Sequence, residues 1–323
     1  MQLQKAMGRR QMRCAVKMVA LSGVCLMMMS CQEGGPEPLV FSEPPFAKQT
    51  TLIGTPLRAP AWSEATKARL LLDLEIAQAA FDLAPDREES YIWLGRRYGY
   101  LGQYLTAIEI FSQGLEKFPD SYKLLRFRGR HLARTRQFER ALADYRQAIL
   151  LMADHPDSFE PDGIPNALGL TIGTYHTNIH YYLGQTSFAV GDYETMLVEM
   201  DQALTSPVLF ARDDYLVSNG YWRYMALRKL GQHEAAEAMI NAIPQQLDLI
   251  ENTHYHKGVL LLQGYITEED ARKDSQALVK FALSMKYHFD GQAAKAAELQ
   301  KEIIQDSPFG FWPAEVELVR SQN

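Results

Sequence analysis

The sequence predicts an all-α fold, a solenoid built from helix-turn-helix repeats. Apolar residues recur at helical spacing from Trp62 almost to the end of the chain. No stretch shows the sustained alternation of apolar and polar residues that marks a half-buried strand. In addition, one set of small and large apolar residues recurs after 34 residues, a spacing typical of stacked helical repeats.

The composition is that of an ordinary globular protein. The chain has 323 residues, 47% of them hydrophobic and 22% charged, enough for one large or two average domains. The formal net charge is -6, but residues 1–30 hold five basic residues and no acid. Without them, 28 basic residues face 39 acidic ones, a net charge of -11. We therefore expect no broad nucleic-acid binding, which needs a field that attracts phosphate.

The N-terminus has the pattern of a signal peptide. Its basic residues precede the apolar run Met18–Met29, which is shorter than the roughly 20 residues of a membrane-spanning helix. Ser30-Cys31 follows and resembles a bacterial lipobox, in which a small residue precedes the cysteine that receives the lipid. Met28 departs from the leucine usual in that motif. An ordinary cleaved signal and an uncleaved anchor are the alternatives.

The cysteines favour the lipobox interpretation. All three lie near the N-terminus, at Cys14, Cys25 and Cys31, so cleavage before Cys31 leaves one thiol in the mature protein. Residues 1–30 are thus predicted to be a lipoprotein signal peptide, and Cys31 the site of lipid attachment. The resemblance implies a location in the bacterial cell envelope, with the protein lipid-anchored to a membrane at the periplasmic side of the outer membrane or at the cell surface.

Residues 31–61 are predicted to be a flexible tether. Prolines are frequent there, and an extended segment of about 3 Å per residue could hold the body tens of ångströms from the bilayer. The repeat domain then covers residues 62–323, and an opening helix is expected over residues 64–84.

The best repeats occupy residues 88–121 and 122–155. The first contains Tyr91, Leu94, Gly95, Tyr98, Ala107, Phe111, Gly114 and Pro119, and the second contains Leu125, Arg128, Gly129, Leu132, Ala141, Tyr145 and Ala148. We expect the small residues where two helices cross, so Ala107 and Ala141 should be buried. The large residues fill the space between the helices, and proline ends the second helix.

This pattern resembles the tetratricopeptide repeat, W-x2-L-G-x2-Y, then A-x3-F, then P. Looser copies occupy about 177–210, 217–250 and 277–310, with an irregular insertion at 153–176. The resemblance implies a right-handed superhelical solenoid that binds a protein or peptide partner and is not an enzyme, with no cofactor.

The sequence has no motif for catalysis or for a metal. It contains no glycine-rich phosphate loop, no Gly-x-Ser-x-Gly and no paired-cysteine motif. His176 and His180 lie four residues apart, but a zinc site needs a third ligand. An alternative function is nevertheless a small-ligand or metal-binding lipoprotein that uses the 153–176 insertion and these histidines.

The resemblance also implies a binding groove, which the first helix of each repeat lines. It places Arg96, Arg126 and Arg130 there, and Arg126 and Arg130 share one helix face. Among the groove positions of these two repeats Glu89 is the only acid, so guanidinium groups would be free to bind carboxylates. The alternative is that the arginines pair with acids of the same protein. The predicted function is a membrane-anchored scaffold that presents this groove to an envelope protein, through an acidic segment or a C-terminus of that partner.

Overall fold

The computed structural model describes residues 50–58, 61–205, 208–307 and 309–322, and within them the protein forms fourteen α-helices. The helices are α1 (Glu64–Leu83), α2 (Glu88–Tyr100), α3 (Tyr104–Lys117), α4 (Tyr122–Arg134), α5 (Phe138–Met152), α6 (Tyr175–Val190), α7 (Tyr193–Ala203), α8 (Arg212–Lys229), α9 (His233–Asn241), α10 (Thr253–Leu262), α11 (Glu268–Lys273), α12 (Ala277–Phe289), α13 (Ala293–Asp306) and α14 (Trp312–Arg320).

Consecutive helices pack as pairs. The pairs α2–α3 and α4–α5 fall within the two best repeats, and α6–α7, α8–α9 and α12–α13 fall within or close to the looser copies. The predicted fold class, an all-α repeat solenoid, is confirmed. Two shorter helices, α10 and α11, were not predicted from the sequence; α10 packs against α8 and α12, and α11 packs against α12. No helix in the described ranges is both long and apolar enough to cross a bilayer.

Small residues lie where the helices of a pair cross. Ala107 and Ala141 are fully buried, as predicted. At Gly95 a Cβ atom would lie 2.5 Å from the ring of Phe111. That is closer than carbon atoms can approach without displacing the ring. The aromatic side chain therefore packs directly on the backbone of the neighbouring helix.

The turn inside a helix pair needs one residue in the left-handed region. Glycine occupies it at Gly102, Gly231 and Gly291, with φ between 73° and 80°. The α4–α5 turn has Arg136 there instead, at φ 62°. A side chain at such a φ costs about 1–2 kcal/mol. Arg136 offsets this cost with a buried ion pair, since its guanidinium donates two hydrogen bonds to Glu315 of α14.

The C-terminal helix returns to the middle of the stack. The Glu315 carboxylate accepts hydrogen bonds from Arg136 and, at 2.9 Å, from the backbone N–H of Leu52. Further along α14, Arg320 donates to the carbonyls of Phe188 and Ala189 at 2.7 and 2.9 Å. These contacts hold α14 against the α4–α5 turn and the end of α6.

The N-terminal predictions lie mostly outside the described residues. The signal peptide at 1–30, Cys31 and most of the tether belong to that part of the sequence. The described stretch at 50–58 does not extend away from the body, because the N–H of Leu52 binds the buried carboxylate of Glu315. Close to it, the indole of Trp62 donates to the carbonyl of Tyr100 at 2.9 Å.

The insertion between α5 and α6 turns into the concave side. An antiparallel bridge joins Phe159 and Thr174, and the N–H of Glu160 donates to the carbonyl of Gly173 at 2.9 Å. Thr174 then caps α6 together with Thr177, so the helix begins at Tyr175. The bridge and the cap fix the direction in which Glu160 points.

Candidate functional site

The concave side holds a partly open cavity of about 620 Å³. Its walls come from the first helices of the pairs, the insertion and the segment that leads into α14. Charged residues dominate one part of the wall and aromatic residues most of the rest. The charged and tyrosine residues of the wall include Arg96, Arg126, Arg130, Arg134, Glu160, Asp162, Tyr104, Tyr181, Tyr182, Asp214, Glu251 and Tyr255.

All three predicted groove arginines line this cavity, and one of them has an acid of the same protein as its partner. Arg126 is 1% exposed, and its Nε lies 2.6 Å from Oε2 of Glu160. The carboxylate that the groove positions lacked thus comes from the insertion. Arg97 holds the same segment, because its Nη1 donates to the carbonyl of Gly163 at 2.8 Å. Arg126 is therefore paired with an acid of the same protein, which was the alternative considered from the sequence, and its contact with a ligand stays a prediction.

Arg96 lies beside this ion pair and is 5% exposed. Its Cζ stacks 4.6 Å from the ring centres of both Trp93 and Phe127, and it donates to the hydroxyl of Tyr100. The Nη1 atoms of Arg96 and Arg126 are buried and have no hydrogen-bond partner among the described residues. An unsatisfied buried donor costs about 1–3 kcal/mol, so an acceptor placed there would be stabilised.

Arg130 and Arg134 continue the arginine stripe along α4 and remain partly exposed to the cavity. Their Cζ atoms lie 5.2 Å from the ring centre of Tyr182 and 5.4 Å from that of Tyr104. In the part of the protein that the structure describes, neither forms an ion pair with a carboxylate. Burial and the charge of Arg130 lower the pKa of Arg134 to about 10. Arg134 was not predicted as a groove residue, although it follows Arg126 and Arg130 at the same spacing of four.

Carboxylates line another part of the wall. Asp214 is fully buried and accepts hydrogen bonds from the backbone N–H groups of residues 250, 251 and 252 at 2.8–2.9 Å, so its role is structural. Asp162 and Glu251 are less enclosed, and neither forms an ion pair with a described lysine, arginine or histidine. Burial raises the pKa of both, and nearby acids add to the rise. Hydrogen bonds from Thr171 to Asp162 and from Asn166 to Glu251 act against it, as does the charge of Arg96 at Asp162.

Tyrosines form a rigid part of the wall between these charged groups. The hydroxyls of Tyr181 and Tyr255 lie 2.5 Å apart, and the indole of Trp222 donates to Tyr181 at 3.0 Å. Burial raises the pKa of Tyr255 to about 12, so these phenols stay neutral at physiological pH. Neutral hydroxyls and rings suit an organic ligand that carries its own charges.

The two histidines of the alternative function do not come together. Nδ1 of His180 lies 2.6 Å from Oε2 of Glu199, whereas the ring of His176 packs against Tyr122. Across the described ranges, no three His, Cys, Asp or Glu side chains are grouped so that they could hold a metal ion. The histidines therefore do not support the metal-binding alternative.

Comparisons with known proteins find likeness in structure alone. No family model and no curated protein sequence matches this protein. A solved tetratricopeptide repeat protein from Parabacteroides merdae is 14% identical, covers 80% of this protein and 94% of its own length, and has a TM-score of 0.47. YrrB, a tetratricopeptide repeat protein with an unusual peptide-binding site, is 13% identical, covers 73% and 94%, and has a TM-score of 0.42. Both are too distant to imply a function. The helix pairs and the small residues at their crossings form a tetratricopeptide-like repeat fold.

Proposed function

We propose that this protein is a membrane-anchored binding scaffold that holds an acidic segment of a partner protein in its arginine-lined cavity. One observation carries the proposal. Arg130 and Arg134 point their guanidinium groups into the cavity and have no carboxylate partner among the described residues. The neighbouring Arg126 is already paired with Glu160, so the charge that needs a partner is concentrated at two adjacent arginines.

A carboxylate fits these arginines better than other acceptors do. A guanidinium group binds both oxygens of a carboxylate through parallel hydrogen bonds, and such charge-assisted bonds are about twice as strong as neutral ones. The rings of Tyr182 and Tyr104 hold the guanidinium groups in place beforehand. An Asp or Glu carboxylate of the partner, or its C-terminal carboxylate, would therefore bind with little reorganisation. Because the interaction is ionic, we expect it to weaken with salt.

The lipid anchor is part of the same proposal. The lipobox-like Ser30-Cys31 supports lipid attachment at Cys31, and the proline-rich stretch after it would connect the bilayer to the repeat domain. A partner in the bacterial cell envelope follows from that location. The proposed activity is binding without catalysis.

Affinity purification with the mature domain as bait tests the proposal. The double variant Arg130→Gln, Arg134→Gln should lower affinity for the partner about 100-fold, because each lost charge-assisted contact is worth roughly tenfold. Glutamine keeps the stems of the side chains, so the melting temperature should stay close to that of the parent. Arg126 is left unchanged, since its loss would leave Glu160 buried without a cation.

The matched control is Arg146→Gln. Arg146 lies on the neighbouring helix α5, is 54% exposed and makes only a loose ion pair with Asp192 at 4.0 Å. This control should recover the partner as well as the parent does. Undiminished recovery by the Arg130, Arg134 double variant would instead show that the partner binds elsewhere.

The shape of the cavity favours a second candidate function, the binding of a small molecule. The segment before α14 and the insertion both wall the cavity, and about 620 Å³ lies within the range of small-molecule sites, roughly 300–1,000 Å³. A free organic anion could occupy Arg130 and Arg134 as a partner's carboxylate would.

A further inference from the structure

The cavity carries unpaired charge of both signs. Arg130 and Arg134 stand on one part of its wall, and Asp162 and Glu251 stand on another. We infer that the ligand of this cavity is zwitterionic, with its carboxylate at Arg130 and Arg134 and an ammonium group at Asp162 and Glu251. This inference rests on the proposed function, because it concerns the same cavity, and it adds the second charge of the ligand.

The basic side is built to receive an acceptor. Two buried Nη1 atoms, those of Arg96 and Arg126, reach the cavity wall without a hydrogen-bond partner among the described residues. Both side chains are more than nine-tenths buried, so they cannot turn outward to solvent. With Arg130 and Arg134 beside them, they form a wall of donors, in which Glu160 is ion-paired with Arg126.

The acidic side lies on other segments of the chain, although Asp162 is close enough to Arg96 for the arginine to lower its pKa. Glu251 lies in the connection between α9 and α10, and Asp162 lies in the insertion. The insertion's Asn166 joins the two segments, because its amide donates to Oε1 of Glu251 at 2.5 Å. The charges that act on Glu251 are the acids Asp162 and Asp214, and they raise its pKa further than burial alone.

A cation between Asp162 and Glu251 would remove this repulsion. A nearby positive charge favours the ionised form of a carboxylate. Arg96 acts in this way on Asp162 without forming an ion pair with it, and no described cation does so on Glu251. Asp214 cannot serve, since backbone N–H groups occupy both of its oxygens. An ammonium group has three donors and suits the two remaining carboxylates.

Size and chemistry together define the ligand class. A cavity of about 620 Å³ takes an amino acid, a short peptide, or the last residues of a protein. A free peptide supplies the ammonium from its N-terminus. A protein's C-terminal end supplies it from a lysine side chain close to the terminal carboxylate. Both sources present the same pair of charges to the same walls.

Calorimetric titration of the full mature domain with small peptides tests the inference. Alanine peptides of two, three and four residues are used as free zwitterions, as N-acetyl forms and as C-terminal amides. Acetyl-Lys-Ala-Ala represents a protein's C-terminal end. At the best length, the zwitterion should bind about tenfold tighter than either blocked form, since each block removes one charge-assisted contact. If acetyl-Lys-Ala-Ala binds tighter than acetyl-Ala-Ala-Ala, a C-terminal end is an acceptable source.

Two variants assign each charge of the ligand to its wall. In Glu251→Gln, acetylation should weaken binding less than it does in the parent, while amidation should weaken it as before. In Arg134→Gln, amidation should weaken binding less than it does in the parent, while acetylation should weaken it as before. The exposed Glu298 of α13 provides the control Glu298→Gln, which should behave as the parent does.

The inference fails if acetylated and free peptides bind the parent equally well, or if no alanine peptide and no acetyl-Lys-Ala-Ala binds at all. Failure of this inference can be distinguished from failure of the proposed function. Loss of the protein partner in the Arg130, Arg134 double variant, with no effect of acetylation, would keep the acidic-ligand proposal and overturn the zwitterion.

Discussion

His131 lies behind the arginine stripe, buried between α4 and its neighbours. Its ring packs against Phe111, with ring centres 5.4 Å apart, and its Nδ1 donates to the carbonyl of Phe127 at 2.8 Å. Burial and the charge of Arg134 hold the pKa of His131 well below its usual value. The folded protein therefore keeps this ring neutral at a pH where the unfolded protein would protonate it.

This difference predicts that stability falls as the pH falls below about 6.5. Below that value the unfolded protein binds a proton at His131 and the folded protein does not, until the pH reaches the lowered folded pKa. Thermal melts at pH 7.5 and 5.0 measure the effect. His131→Gln should show a smaller loss of melting temperature over that interval than the parent, whatever its stability at pH 7.5. The exposed His233 provides the control His233→Gln, and an unchanged loss in His131→Gln would contradict the prediction.

The residues of the cavity differ in how far the sequence reveals them. Arg96, Arg126 and Arg130 follow from the repeat register, because equivalent positions of first helices face the same side. Glu160 and Glu251 do not follow from it, since they lie in irregular connections whose path has no periodicity. Neither the acidic part of the site nor the ion-pair partner of Arg126 could therefore be predicted from the sequence.

At the scale of the helix pair, the crossing depends on small side chains. Ala107 is fully buried where α3 packs against its neighbours, in the position that Ala141 has in the next pair. Ala107→Arg should lower the free energy of unfolding by several kcal/mol, because the longer side chain overpacks the crossing and buries a charge. Chemical denaturation measures this free energy of unfolding. Ala294→Arg, at an exposed position of α13, should change the free energy by less than about 0.5 kcal/mol. Equal stability of the two variants would show that a large side chain is tolerated at position 107, which would contradict the prediction.

The elements were predictable where the repeat is strong. Glycine, alanine and aromatic residues at fixed positions indicate α2 to α5, since close helix packing requires them there. The helices α10 and α11 have only ten and six residues, and they were missed because few positions of the repeat remain in them. The insertion was recognised only as an interruption, because its bridge and cap depend on contacts that spacing does not show.

At the scale of the whole molecule, the proposed lipid anchor would determine where in the cell the cavity binds its ligand. Cys31→Ala should abolish incorporation of labelled palmitate and leave a soluble or unprocessed protein, because the residue that would carry the lipid is gone. Cys25→Ala is the matched control, since Cys25 precedes the proposed cleavage site and is removed with the signal. Continued labelling of Cys31→Ala would contradict lipid attachment at that residue.

The return of α14 to the α4–α5 turn also changes how the protein unfolds. In an open repeat array each unit contacts only its neighbours, so a terminal unit can fray while the others stay folded. Here Glu315 ties Arg136 and Leu52 together, partners that lie 179 and 263 residues away from it along the sequence. Fraying of the C-terminal helix would break contacts at the other end and leave Arg136 unpaired at its unfavourable φ. The array therefore gains the cooperativity of a globular domain, at the cost of the freedom to add or remove repeats.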